Sequence, residues 1–329
     1  MRGGLGRTGF FQIVTAALLA LSAALSTAGC STPPAGRSEA LRLRIGLLPI
    51  VDVLPLYVAE TEGYFKEQNL EVELITFASA LERDAAFQAG QIDGELNDLV
   101  SAALLNKDGD RARVVRTAYQ GNPSMAMMLV LVAPGSKIQS ARELKGVPVA
   151  ISNNTVIEYA TDRLLESAGL GESDIVKTEV TKIPVRLEML VKGQVQAATL
   201  PEPFASLAVQ QGARVVIDDS QSGIGQSVIT IRREVAEGSP EAISRFLLAY
   251  EKAVDAIHGS PNKYQDLLVE KAKVPDPLRN SFRIPAFPRA QVPKRDDVDA
   301  VIQWMLKKGM LSQAIAYERM VDSRFLPKG

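Results

Sequence analysis

The sequence predicts an α/β protein with mainly parallel sheets, built as two α/β units followed by a helical tail. Three observations carry this expectation. Stretches that alternate apolar and polar residues take turns with stretches of helical spacing from residue 41 onward, the order in which crossover helices join parallel strands. The pattern restarts beyond the Pro134-Gly135 breaker. From Ser239 to the end the chain is almost wholly helical, apart from a proline-rich interruption at 275–293.

The first strand is predicted at 41–47, where leucines and arginines alternate as on a half-buried ladder. A helix follows over 55–68: Leu56, Ala59, Tyr64 and Phe65 fall near helical spacing, Gly63 weakens its end, and Asn69 stops it. Leu70, Val72 and Leu74 alternate again in a second strand over 70–77, and 79–89 is helical between a Ser79 N-cap and Gly90. A third strand at 92–96 runs to Asn97-Asp98, with Asp98 placed to cap a helix over 99–105. Strands are then predicted at 114–119 and 125–132, the second long and apolar. In the second unit a short helix at 140–144 precedes a strand at 147–151, and the Asn153-Asn154-Thr155 turn opens a helix over 156–168. Strand 175–183, helix 185–192 and strand 197–200 lead to Pro201-Glu202-Pro203, a forced turn because each proline fixes its own backbone. Helix 204–211 and strands 215–217 and 228–232 complete the pattern, with no repeat of solenoid length.

The N-terminus is predicted to be a targeting segment. Arg2 and Arg7 precede an apolar run over 10–25 that small residues close at Cys30, shorter than the roughly 20 apolar residues of a spanning helix. Thr27-Ala28-Gly29-Cys30 resembles a bacterial lipobox, which implies lipidation of Cys30 after removal of residues 1–30; the other reading is plain signal cleavage nearby. Residues 31–40, polar and proline-bearing, form a tether. Cys30 is the only cysteine, so an exported chain has no disulfide and rests on its hydrophobic core. A net charge of −1 with no long block of like charge gives no footprint for nucleic acid.

The mature chain resembles the solute-binding proteins of ABC importers grouped as nitrate, sulfonate, taurine and thiamine-precursor binders. The resemblance lies in Leu43-Arg44-Ile45-Gly46, Leu56-Tyr57-Val58-Ala59-Glu60, Gly63-Tyr64-Phe65-Lys66 and Ala89-Gly90-Gln91-Ile92-Asp93-Gly94, then in Leu144-Lys145-Gly146 and Val191-Lys192-Gly193-Gln194. Gln196 departs from the aspartate usual at its place. The resemblance implies a type II periplasmic binding protein fold: two α/β lobes joined by two crossing strands near 118–125 and 221–227, with the helical tail packed on lobe one. Lobe one would comprise 41–121 plus 225–329, and lobe two 122–224. It also implies a monomer that captures a small molecule, works with permease and ATPase subunits, and uses no cofactor or metal.

In open α/β sheets ligands sit beyond the carboxyl ends of parallel strands, against helix N-termini. That rule selects Asp52, Ser79, Asn97 and Asp98 in lobe one and Asn153, Thr155, Glu158, Glu202 and Phe204 in lobe two, with Tyr119 from the first crossing. Ser79, Asp98 and Thr155 are equally explained as helix caps, Glu158 as a first-turn carboxylate favoured by the helix dipole, and Tyr159 and Phe204 as core. Asp52 between two valines and Glu202 between two prolines show no capping pattern. These acids outnumber the nearby cations, Lys182 and Arg186, which favours a ligand with hydrogen-bond donors or a positive centre; a sulfonate remains open if the acids face solvent.

Two rival readings stand beside import. A thiamine-pyrimidine-type enzyme on the same fold would consume a histidine, and the only one, His258, lies far along the tail where a helix should end. No Ser-His or Cys-His pairing or nucleophile elbow is present. A transporter-independent sensor lipoprotein would share every feature above.

Overall fold

The computed structural model describes residues 40–327. The apolar leader, Cys30 and nearly all of the tether lie outside the described residues. Among the described residues ten strands are formed: β1 (Leu41–Leu47), β2 (Leu70–Thr76), β3 (Gly94–Asp98), β4 (Ala112–Gln120), β5 (Met128–Val132), β6 (Val149–Ile151), β7 (Lys177–Glu179), β8 (Ala197–Pro201), β9 (Arg214–Asp218) and β10 (Gln226–Arg232). Between and after them run α1 (Leu54–Thr61), α2 (Tyr64–Glu67), α3 (Ala80–Gln88), α4 (Leu99–Leu105), α5 (Val156–Ser167), α6 (Ile183–Val191), α7 (Phe204–Gln210), α8 (Arg233–Gly238), α9 (Pro240–Gly259), α10 (Gln265–Lys271), α11 (Arg295–Lys307) and α12 (Tyr317–Met320).

The strands divide into two sheets of the same plan, ordered β2-β1-β3-β10-β4 and β7-β6-β8-β5-β9. In each, the first three strands are parallel, while the fourth, β10 or β5, runs antiparallel to both neighbours. Each antiparallel strand directly follows a passage between sheets, β4 to β5 and β9 to β10. These two passages are the inter-lobe connections of a type II periplasmic binding fold. They are largely irregular rather than strands, with a single bridge between Asn122 and Met125.

Asp219 ties the two passages together. Its carboxylate is fully buried and accepts hydrogen bonds from the Met127 N–H (2.7 Å) and Met128 N–H (3.0 Å) of one passage and the Gly225 N–H (2.9 Å) of the other. Glycine is required beside it: a Cβ on Gly121 or Gly225 would stand 2.7 or 2.6 Å from the Asp219 oxygens.

The tail packs mainly on lobe one, as expected. Ala242, Phe246, Ala249, Tyr250, Ala253 and Ile257 make one apolar face of α9 at helical spacing; it covers α1 and α2, with Phe246 stacked on Phe65 at 5.5 Å. Two parts of the tail also reach lobe two. Trp304 of α11 meets Tyr159 of α5 edge-on and donates its indole N–H to Asp162 at 2.9 Å, and Gln210 of α7 donates to the Pro277 carbonyl at 3.2 Å.

Several boundaries differ from the sequence expectation, among them the strand predicted from 125, which starts at Met128. The helix predicted over 55–68 breaks in two where Gly63 adopts φ +78°. The strand predicted over 175–183 shrinks to β7, because Ile183-Pro184 opens α6: a proline in a first turn sacrifices no helix hydrogen bond. The third strand runs two residues later, so Asn97 and Asp98 belong to β3.

Candidate ligand-binding cleft

The lobe-one wall is assembled from the ends of three strands. Beyond β1 the chain enters a single 3-10 turn, Val51–Val53, whose apolar residues are buried and carry Asp52 in with them. Asp52 lies beside the Ser227 hydroxyl of β10. Burial pushes the Asp52 carboxyl up to about 6, while the hydrogen bond from Ser227 and the charge of Arg83 temper the rise.

Ser79, after β2, caps α3 by accepting from the Glu82 N–H at 3.3 Å. One turn on, Arg83 is fully buried and fully engaged: it donates to the Leu96 carbonyl (2.8 Å), to Asp84 (2.7 Å) and to Ser101 (3.1 Å), with Glu95 at 3.4 Å. Asp98 caps α4 through the Ser101 N–H (2.9 Å) and is pushed by burial up to about 6. Asn97 spends its amide on Glu95 (2.7 Å) and accepts from Thr230 (2.6 Å).

The lobe-two wall begins at Ser152, beyond β6. Its hydroxyl donates to the Thr181 carbonyl (3.0 Å) and accepts from Arg186 Nη1 (3.0 Å). Thr155 caps α5 through the Ile157 N–H (3.1 Å) and donates to the Ser152 carbonyl (2.8 Å). Arg186, in the second turn of α6, is fully buried. Burial alone lowers its guanidinium to about 9, with no carboxylate acting to raise it.

Between these walls lies a narrow cavity of about 50 Å³, lined by Asp52, Ser79, Arg83, Asn97, Asp98 and Ser227 from one lobe and Ser152, Thr155, Thr181 and Ile183 from the other, with Met127 and Met128 at the connection. An adjoining cavity of about 370 Å³ shares Leu48, Ile50 and Ile183 with it. That one is apolar, walled by Pro49, Phe77, Pro184, Val185 and Phe204, with Lys182 as its one cation. The narrower cavity is polar in the side chains that ring it, although most of the surface it exposes is apolar, and both cavities are made from both lobes.

Of the residues selected from sequence, Asp52, Ser79, Asn97, Asp98 and Thr155 come together in the polar cavity and Phe204 in the apolar one. Four others line neither. Tyr119 is core, donating its hydroxyl to the Met125 carbonyl (2.9 Å) and meeting Phe287 edge-on. Asn153 is exposed on its turn. Glu158 is held by Lys177 (2.6 Å) and by the Asn154 N–H (2.8 Å). Glu202 accepts from the Ser206 N–H (3.1 Å) and hydroxyl (2.9 Å), so it satisfies a first-turn N–H of α7, and it borders a separate cavity beside Leu278. Arg83, Thr181, Ser227 and the two methionines were not selected. Arg83 sits inside a predicted helix between Glu82 and Asp84, where nothing in the sequence sets it apart, and Ser227 arrives from a strand paired far along the chain. His258 is exposed in the last turn of α9, away from both cavities.

A family model described as NMT1/THI5 like matches residues 50–264, which takes in both cavity walls. The chain belongs to the NMT1/THI5-like family. A relative in Escherichia coli (strain K12), provisionally named an aliphatic sulfonates-binding protein, is 26% identical over 290 residues, covering 87% of this chain and 88% of the relative. Among solved structures, the periplasmic aliphatic sulphonate binding protein SsuA from Escherichia coli superposes with a TM-score of 0.71 at 20% identity, over 88% of this chain and 94% of that one. The desulfurization enzyme DSZB superposes with a TM-score of 0.65 at 15% identity, over 87% and 97%. Solved structures that share this fold thus include a binding protein and an enzyme.

Proposed function

We propose that this NMT1/THI5-like chain is the extracytoplasmic solute-binding component of an ABC importer, which captures a small molecule between its lobes and delivers it to a permease driven by an ATPase. We read lobe one as 41–121 plus 225–329, lobe two as 122–224, and Cys30 as the lipid-bearing residue that holds a monomer at the membrane. The observation that carries the proposal is a polar cavity whose walls come from both lobes. A solute touching both walls binds the closed form better than the open one, and only such a difference can shift the lobes. At about 50 Å³ the cavity is far smaller than the roughly 300–1,000 Å³ of small-molecule sites, so the lobes must part to admit a solute. The titratable lining of the polar cavity is Asp52, Arg83 and Asp98, and two of these are committed to capping and ion pairing.

The test is native mass spectrometry of the protein purified from its host, followed by adding the released molecule back to stripped protein. Saturation at a hundredfold excess over Kd adds about 2.7 kcal/mol, roughly 4–5 °C in Tm for a chain of this size. A protein that carries nothing, and that no fraction of host metabolites stabilises, would sink the proposal.

A further inference from the structure

The turn at Pro201-Glu202-Pro203 serves three cavities. Pro201 lines the polar one of the cleft, and Phe204, just after the turn, lines the apolar one. Glu202 borders neither; it belongs to a third cavity of about 340 Å³ that β5 and α7 form with the tail at Leu278 and Ser281. That volume lies at the lower end of the roughly 300–1,000 Å³ of small-molecule sites. Leu129, Val209 and Leu278 give it apolar sides. Val209 is 45% exposed, one of the few large apolar side chains left so among the described residues.

The charge in this third cavity is not balanced. Over residues 122–224 the buried carboxylates are Glu158, Asp162, Glu202 and Asp219. Glu158 and Asp162 share Lys177, and Asp219 holds three backbone N–H groups. Glu202 has no Lys or Arg partner among the described residues, and it takes only the N–H and the hydroxyl of Ser206, in the first turn of α7. A carboxylate offers about four lone-pair sites, so about half of its accepting capacity is unused. Burial without a counter-charge raises the carboxyl above its ordinary value. The other polar groups bring more lone pairs than free hydrogens. The Ser206 hydroxyl donates to Glu202, the Ser281 hydroxyl to the Leu278 carbonyl (3.3 Å), and Gln210 to the Pro277 carbonyl. No basic side chain lines the cavity, and the neighbouring Arg279 is paired with Asp266 (3.0 Å).

We propose that this cavity is a second binding site, outside the cleft, for a small organic cation: an alkyl- or arylammonium whose nitrogen meets Glu202 and whose apolar body lies on Leu129, Val209 and Leu278. No second carboxylate lines the cavity, which suits an ammonium better than a divalent metal ion with its several oxygen ligands. An anion meets an unbalanced like charge there, and a neutral molecule leaves the carboxylate without a counter-charge. The site is separate from the solute cleft, so the inference stands whatever the cleft takes. Its lining joins α7 to the tail, and its carboxylate shares a turn with Pro201 and Phe204. An occupant therefore restrains one edge of the cleft wall.

The experiment titrates the full chain with benzylammonium and n-butylammonium, against benzyl alcohol and benzoate, and follows backbone amides by NMR. The ammonium ions should shift the amides of 204–211 and 278–282, and benzylammonium should bind at least ten times tighter than benzyl alcohol or benzoate. Glu202→Gln keeps an acceptor for Ser206 and should weaken ammonium binding at least tenfold. Val209→Trp, at an exposed position, should fill the cavity and abolish the same shifts, so the site is tested even where the Glu202 variant folds poorly. Asp52 and Asp98 also attract cations, so Asp52→Asn is the control for the cleft and should leave the shifts in α7 unchanged. Benzyl alcohol binding as tightly as benzylammonium, shifts in α7 that survive both Glu202→Gln and Val209→Trp, shifts confined to the cleft, or no shift at all would overturn the inference. The solute-binding reading rests on the other two cavities and survives that failure.

Discussion

Asp219 shows how one side chain can set the geometry of an inter-lobe connection. Its oxygens take three backbone N–H groups from two passages that are distant in sequence, and burial pushes the carboxyl up in spite of those N–H groups. Replacing it with alanine leaves three buried donors unpaired, each worth about 1–3 kcal/mol in desolvation. Asp219→Ala should therefore lose about 3 kcal/mol or more in urea unfolding, and Gly225→Ala should also destabilise, because its Cβ would press on Asp219 at 2.6 Å. Unchanged stability in both variants would show that the passages are held by something else. Asp219 was invisible to sequence reasoning: Asp218-Asp219-Ser220 looks like any polar turn. Ser79, Asp98 and Thr155 were legible because capping is a local signal, written within three residues of the cap. Asp52 was legible as a charge among valines, whereas Glu202 misled, since its acceptor role on Ser206 lies just beyond the prolines that seemed to isolate it.

At the level of elements, α11 acts as a strap across the lobes. Its apolar face, with Val298, Val301, Ile302 and Met305, is buried at helical spacing and packs toward α4 of lobe one. It also reaches lobe two, where Trp304 meets Asp162, Lys308 meets Asp162 (3.1 Å) and Lys307 meets Glu172 (2.8 Å). Asp162 also takes Lys177 (2.9 Å), so its carboxyl is held below the usual range in spite of burial. Trp304→Phe keeps an aromatic ring against Tyr159 and removes the indole donor to a charged acceptor. It should lower stability by about 1.5–3 kcal/mol and raise the rate of lobe opening, read as faster hydrogen exchange in α5 and α11. Exchange that is unaltered there would deny α11 a role in closure. The helix itself was predictable from its spacing and first-turn acids. Its reach to a second lobe was not, because the partner face on α5 is read as one more amphipathic stripe.

For the molecule as a whole, the pH–stability curve sums two populations of carboxylates. Asp52 and Asp98 are raised to about 6 and Glu95 to about 8, all by burial. Such groups bind protons more tightly folded than unfolded, so they add stability as pH falls through the folded value toward the ordinary value near 4, and withdraw it as pH rises. Asp110, Asp162 and Asp322, held low by arginine or lysine partners, contribute stability above about pH 4 that is lost below it. Thermal unfolding of the ligand-free protein should then be most stable near pH 5 and decline toward pH 8; a steady rise to pH 8 would contradict the buried, uncompensated state of the cleft acids. The α/β class, nearly every strand, the two-lobed plan and the caps at the cleft were determined by the sequence alone, because periodicity and capping are short-range properties of neighbouring residues. Only the tertiary structure decided that Ser227 meets Asp52, that Arg83 is balanced while Arg186 is not, and that Tyr119, Glu158 and Glu202 serve the fold. Charge balance in a buried site depends on which distant segments arrive together, and burial from solvent is what makes that balance count.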